Sequence, residues 1–246
     1  MPVVGIYESI AAGLGANGCM RPGGLALTQM ALSRCFFLPG ARVLDIGCGV
    51  GGTVEYLMEH HQLRAFGIDP SLTILNHGHA RNAALPLIAA DGKALPFGDA
   101  TWDGVLAECS LSLAEDAPTV LNECRRVLRH LGWLVLSDVY LRDPAAGVQV
   151  RALPSCCCLA GALTHEELLE AITACGFQSV HWEDHSPALK AFAAQLIFFH
   201  DSSIEQFWMR AAQDKREAVA LPELKKVIAQ ARPGYFLLIA RKSAEY

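Results

Sequence analysis

Between residues 41 and 140 short apolar runs take turns with stretches of helical period, and no other feature restricts the possible folds as strongly. ARVLDIG (41–47) reads as a buried strand, and 52–61 as a helix with Val54, Leu57 and Met58 on one face. RAFGID (64–69) is a second strand, followed by a helix that Ser71 caps. LPLIAAD (85–91), WDGVLAEC (102–109) and GWLVLSDVY (132–140) supply three more strands, with a helix over 116–130 between the last two. Strands and helices alternating at this spacing require right-handed crossovers. The expected fold is therefore α/β, a doubly wound, mostly parallel sheet covered on both faces.

Beyond that unit, 164–175 is helical, with Thr164 and Glu167 forming a capping box. FQSVHWEDH (177–185) and GYFLLIARK (234–242) read as a sixth and a seventh strand. The chain then divides into an amino-terminal helical approach segment (1–40), an α/β domain (41–186), a helical insertion or cap (187–231) and a returning last strand (232–246). A net charge of −5 argues against extended binding to nucleic-acid phosphates, an affinity that comes from Lys and Arg. The longest apolar stretches, such as AFAAQLIFF (191–199), are too short to span a bilayer, and residues 1–20 lack a charged start before an apolar core. The expected setting is the cytoplasm, with the nine cysteines reduced. None of them forms a CxxC pair, so zinc has no support and no metal ligands are assigned.

The stretch VLDIGCGVGG (43–52) is where a ligand is expected, because the first strand-to-helix turn of such a sheet lies at a crevice. Gly47, Gly49 and Gly51 strip side chains from the turn, and Gly47, Gly49 and Gly52 also satisfy a dinucleotide GxGxxG pattern. The acids decide between ligands. Asp45 lies inside the glycine motif, where a pyrophosphate gains nothing from another negative charge and a cation does. Asp69, 20 residues after Gly49, is spaced to accept from ribose hydroxyls. Asp91 ends the third strand, where it would accept from an adenine amino group while the Gly92 N–H donates to a ring nitrogen. Three acids at three successive strand ends suit a nucleoside bearing an amino group and a sulfonium.

VLDIGCGVG, GID, AADGKALPF, WDGV and RRVLRHLGWLVLSDV together resemble the ordered motifs of class I S-adenosylmethionine-dependent methyltransferases, near the small-molecule branch of ubiquinone/menaquinone and arsenite methyltransferases. The resemblance covers roughly residues 40–185 and the last strand. It implies S-adenosyl-L-methionine as cofactor and S-adenosyl-L-homocysteine as product. Asp45, Gly47, Cys48, Gly49 and Gly51 would hold the methionine half, Asp69 with Pro70 the ribose, Asp91, Gly92 and Lys93 the adenine side, and Glu108 to Ser110 would lie near the transferable methyl. One departure is RHLGW (129–133), where the family has a Pro-Gly-Gly turn.

The acceptor is expected to be a small molecule, with no catalytic base assigned: His165, His181, His185 and Tyr140 are all available. CLAGAL (158–163) is similar to a segment of arsenite methyltransferases, which implies Cys158, with Cys19 as the upstream thiol and Cys156 and Cys157 nearby, for a soft metalloid acceptor. Against this, Cys19 lies farther from the glycine motif than in that family and no cysteine follows Cys175. Phe192, Leu196, Phe199, Phe207 and Trp208 in the insertion fit an acceptor pocket, ordinary core packing or a homodimer contact. RPGG (21–24), with Tyr7 upstream, would close over the methionine end of the cofactor, and QDKREA (213–218) is a solvated helix face. The rival classes are a nicotinamide-dependent oxidoreductase on the same glycines and a non-catalytic nucleoside-binding or metalloid-sensing protein.

Overall fold

The structure, a computed structural model, describes residues 19, 21–153, 158–200, 202–213 and 221–243. Its elements run α1 (Gly24–Arg34), β1 (Arg42–Ile46), α2 (Gly52–His61), β2 (Arg64–Asp69), α3 (Leu72–Arg81), β3 (Leu87–Ala89), β4 (Trp102–Glu108), α4 (Ala117–Val127), β5 (Leu128–Leu141), α5 (Gly147–Arg151), β6 (Leu163–Thr164), α6 (His165–Ala174), β7 (Phe177–Asp184), α7 (Ser186–His200), α8 (Ile204–Gln213), α9 (Leu221–Ala231) and β8 (Gly234–Lys242). The main path through the sheet is β3-β2-β1-β4-β5-β8-β7. β1 to β5 are parallel, and β8 enters antiparallel between β5 and β7.

The strands alternate faces, and both faces are buried. Val135 and Val139 of β5 and Leu237 and Ile239 of β8 pack into one apolar cluster. Leu134 and Leu136 of β5 and Phe236 and Leu238 of β8 pack into the other. Near-continuous apolar runs such as YFLLIA follow directly, because each residue of a doubly covered strand meets a helix layer. The cores sit on either side of the central strands, so the carboxyl ends of β1 and β4 are held rigidly beside each other. The chain order reverses there, which opens a crevice.

Several expectations need correction. Among the described residues the sheet has eight strands, since β6, a two-residue strand, pairs with the end of β5. The helix expected over 116–130 stops at Val127, and β5 begins at Leu128 rather than at Gly132. In RHLGW, Leu131 takes a left-handed φ of 57°, so the pairing with β4 shifts register between Trp102 and Gly104 and then resumes at Trp133. An irregularity in the strand thus does the work of the absent Pro-Gly-Gly turn. Within the amino-terminal segment expected to be helical over 1–40, α1 ends at Arg34. Met58 is exposed on α2, while Val54 and Leu57 are fully buried. The capping box forms as drawn: the Glu167 N–H donates to Thr164 Oγ1 at 3.2 Å and the Thr164 N–H donates to Glu167 Oε2 at 2.9 Å.

Candidate functional site

At the crevice the chain leaves β1 through a turn tied back to β2: the Gly47 and Cys48 N–H groups donate to the Ile68 carbonyl at 2.8 and 2.9 Å. Gly47 sits at φ 73°, and a Cβ there would lie 2.4 Å from that of Ser110, so the turn and the end of β4 touch backbone to side chain. Gly49, at φ 55°, differs. A Cβ there would meet only Ile74 Cγ2 at 4.0 Å, so this glycine leaves space open rather than packing. That space belongs to a cavity of about 780 Å³.

Asp45, Gly47, Cys48, Gly49, Asp69, Pro70, Asp91, Gly92, Lys93, Glu108 and Ser110 all line this cavity. Gly51 does not. It is the residue before α2, at φ 80°, and a Cβ there would lie 2.9 Å from Leu87 Cδ2, so it serves helix–strand packing. Cys48 is buried against Gly67, whose own missing Cβ makes room for the sulfur.

The acids have unlike surroundings. Asp69 accepts from the Gly49 N–H at 3.1 Å and from the Ser71 N–H at 2.9 Å, which fixes its carboxylate at the lip of the turn. Asp91 is exposed and accepts from the Lys93 N–H at 2.8 Å. Asp45 is 3% exposed and has no hydrogen-bond donor among the described residues. Burial pushes its carboxyl well above the usual carboxylate range; the neighbouring Glu108 and Asp69 add to this and Arg21 opposes it. A carboxylate held this way favours any cation that enters.

Both oxygens of Glu108 are engaged. It accepts from Thr28 Oγ1 at 2.9 Å and Thr53 Oγ1 at 3.1 Å, and pairs with the Arg21 guanidinium at 2.7 Å, with both charged side chains almost fully covered. Arg21 also donates to Thr28 Oγ1, so RPGG is bolted to the floor of the cavity from the amino-terminal side. Sequence reasoning left RPGG as a segment closing over the cofactor. Arg21 is a cation spaced 87 residues from an acid, and no local pattern signals that pair.

The other end of the cavity is apolar, walled by Leu189 and Phe192 of α7 and by Ile204, Phe207 and Trp208 of α8. Leu196 is buried in the adjoining core, the side chain of Phe199 lies outside the described residues, and so do Tyr7 and nearly all of QDKREA. Cys19 and Cys158 both line the cavity, joined by Cys109, which sequence reasoning placed only near the methyl. Cys156 and Cys157 lie outside the described residues, and among those described no three His, Cys, Asp or Glu side chains are grouped to hold a metal ion. Cys109 takes a left-handed φ of 57°, and its Sγ lies 3.2 Å from the Tyr235 hydroxyl.

None of the proposed bases lines the cavity. His165 stacks on Trp182, His181 and His185 face Glu183, and Tyr140 donates to Asp184 at 2.7 Å. Behind the site, Asp138 accepts from the N–H and hydroxyl of Ser112 and from the Val139 N–H, anchoring the 3-10 turn Leu111–Leu113. No helix among the described residues is long and apolar enough to cross a membrane.

Residues 44–136 match a family described as a methyltransferase domain. Over 132 residues the chain is 29% identical to the phosphoethanolamine N-methyltransferase of Triticum aestivum, which covers 52% of this chain and 26% of that protein. The chain thus spans about a quarter of the length of that relative. Among solved structures it is similar to the [4+2]-cyclase SpnF, with TM-score 0.67 and 23% identity over 89% of this chain and 81% of that one. It is also similar to phosphoethanolamine N-methyltransferase 2 of Haemonchus contortus, solved with S-adenosyl-L-methionine, with TM-score 0.69 and 19% identity over 97% and 56% of the two chains. Both likenesses are ones of fold.

Proposed function

The chain carries a class I methyltransferase domain, and from that premise we propose that it binds S-adenosylmethionine and moves a methyl group to a small-molecule acceptor. Asp45 carries the reading. A buried carboxylate that faces a cavity without a donor is costly to keep ionised, and a bound cation removes that cost. The residues around it suit such a ligand: Gly49 leaves room for a backbone-close approach, and Asp69 and Asp91 offer carboxylates at the ends of β2 and β3. A pyrophosphate would instead face Asp45, Asp69 and Glu108 with, among the described residues, only Arg21 and Lys93 as cations in the lining, which disfavours a nicotinamide dinucleotide.

When bound, S-adenosylmethionine supplies a methyl group on a positive sulfur that departs as a neutral thioether. The chain's own part is positioning and exclusion of water. In this reading Asp45 and the Gly47–Gly49 turn hold the amino-acid half, Asp69 the ribose, and Asp91 with Gly92 the adenine. Glu108, occupied by Arg21, Thr28 and Thr53, positions the amino-terminal segment rather than touching ligand. The walls from α7 and α8 cover the acceptor end.

Calorimetry tests the proposal. S-adenosylhomocysteine should bind and NAD should not, and Asp45→Asn should weaken the former by about 1–3 kcal/mol through a lost charge-assisted bond. Tighter binding of NAD, or affinity unchanged in Asp45→Asn, would overturn the reading. Binding without release of a labelled methyl group to any of a panel of thiols, quinols and arsenite would leave a nucleoside-binding protein on a methyltransferase fold.

A further inference from the structure

Three carboxylates stand side by side where the glycine turn leaves the sheet. Asp45 of β1 is level with Gly67 of β2 and with Leu106 of β4, and Asp69 and Glu108 each lie two residues beyond those partners. Side chains two apart on a strand point to the same face. All three acids therefore crowd one face at the ends of three adjacent strands, with Asp45 in the middle, and all three line the cavity. It is the face on which Val43, Leu106 and Tyr235 are buried.

Two of the acids have their charge met. Glu108 faces the Arg21 guanidinium and the hydroxyls of Thr28 and Thr53, and Asp69 accepts from the N–H groups of Gly49 and Ser71. Asp45, as buried as they are, has no donor among the described residues. The groups that face it are Cys48 from its own turn, Asp69 from β2, Glu108 from β4, and Arg21 and Cys19 from the segment ahead of α1. Burial pushes both thiols up, so they stay neutral and supply no charge. Arg21 is the one cation of the group, and although its Nε has no partner, its single charge already answers Glu108. A third negative charge in this space, out of water, costs more than a bound proton. Burial first, then Glu108, push the Asp45 carboxyl up to about 8 against the pull of Arg21.

We propose that the site works by exchange: Asp45 holds a proton while no cation is bound, and releases it to water when the ammonium of an entering amino-acid nucleoside takes its place. The O–H bond of the Asp45 carboxyl breaks, the proton passes to solvent, and the ligand's ammonium replaces it. The charge summed over the cluster and that ammonium is then the same before and after. The proposal rests on the methyl-donor reading for the identity of the ligand, and it adds a dependence on pH that the reading alone does not contain. A cation that must displace a proton binds more weakly as pH falls, by about tenfold per unit. Above about 8 it gains nothing further.

Calorimetry of S-adenosylhomocysteine binding at about pH 6.5, where the ligand's ammonium is already charged, counts the protons set free when it is repeated in phosphate and in imidazole buffer. The parent chain should release about one proton per ligand, and Asp45→Asn about none. 5′-Methylthioadenosine, the same nucleoside without the amino-acid half, should release none on binding. Affinity of the parent for S-adenosylhomocysteine should rise about tenfold per unit between about pH 6 and 7.5, while that of Asp45→Asn stays level. Binding without proton release in the parent overturns the proposal, as does release that survives in Asp45→Asn or that 5′-methylthioadenosine produces equally. Asn is the neutral isostere of a protonated Asp; should the variant still not fold, the buffer comparison and the two nucleosides on the unaltered chain decide. Failure of S-adenosylhomocysteine to bind at all is a different result, which removes the methyl-donor reading and leaves the proton to be judged by itself. Carbon-detected NMR of the ligand-free chain should then show the Asp45 carboxyl titrating near 8. A midpoint in the ordinary carboxylate range overturns the proposal.

Discussion

Replacing Arg21 by alanine leaves Glu108 as an unpaired carboxylate with 3% of its side chain exposed, still facing two threonine hydroxyls but without its counter-charge. Removing one partner of a buried pair costs about 3–5 kcal/mol, against about 0–1 kcal/mol for a surface pair. Coverage of 9% and 3% puts this pair in the first class. For a chain of this size that loss corresponds to a fall in Tm of roughly 10 °C. Urea unfolding of Arg21→Ala, Glu108→Gln and a double variant, Arg21→Met with Glu108→Gln, would measure it. The double variant should be more stable than the sum of the single losses predicts, by about 2 kcal/mol or more, because neither charge is then stranded. Single variants within about 1 kcal/mol of the parent, or losses that simply add, would refute the view that this pair is a buried, mutually dependent unit.

Other expectations follow from local geometry. Gly47→Ala must seat a Cβ at 2.4 Å from Ser110 Cβ on a φ of 73°, and should lose about 1–3 kcal/mol of stability together with nucleoside affinity, as read by denaturation and calorimetry. Thr164→Ala removes the capping box of α6 and should cost about 1 kcal/mol in a urea titration with no change in nucleoside binding. Burial pushes the Asp138 carboxyl up to about 6, the Ser112 and Val139 donors notwithstanding. An acid with a raised folded pKa binds its proton more tightly folded than unfolded, so its contribution is present at low pH and is lost as pH rises towards about 6. Tm measured across that window should fall less with pH in Asp138→Asn than in the parent; parallel curves would remove Asp138 from the account.

Much of the frame is written in short-range signals. The strands RAFGID and GYFLLIARK run at the bounds that their hydrophobic pattern marks, and Thr164 with Glu167 announces α6 because both halves of that cap lie within one turn. Where the reading failed, the deciding interaction was distant. The helix period carries past Val127, yet pairing of Leu128 with Trp102 claims the backbone for the sheet. Met58 has the right spacing to be buried and stays exposed. The glycine turn and its acids were legible as a group, but Gly51 could not be told from its neighbours until Leu87 of β3 was placed beside it. Arg21, Cys109 and Tyr235 reach the cavity from three separate parts of the chain, and each looked ordinary in its own surroundings.

The place of β8 has a consequence for how the molecule comes into being. Among the described residues β7 has β8 as its one neighbour in the sheet, and β5 also waits for β8 along one flank. Both are synthesised long before residues 234–242, with α7, α8 and α9 in between. A nascent chain therefore carries unsatisfied edges on β5 and β7 until residues 234–242 leave the ribosome, and this strand must find a slot between them instead of adding to the outside. Such a late, long-range insertion slows folding and exposes intermediates to aggregation, so chaperone supply during expression should govern yield more than the stability of the finished molecule does.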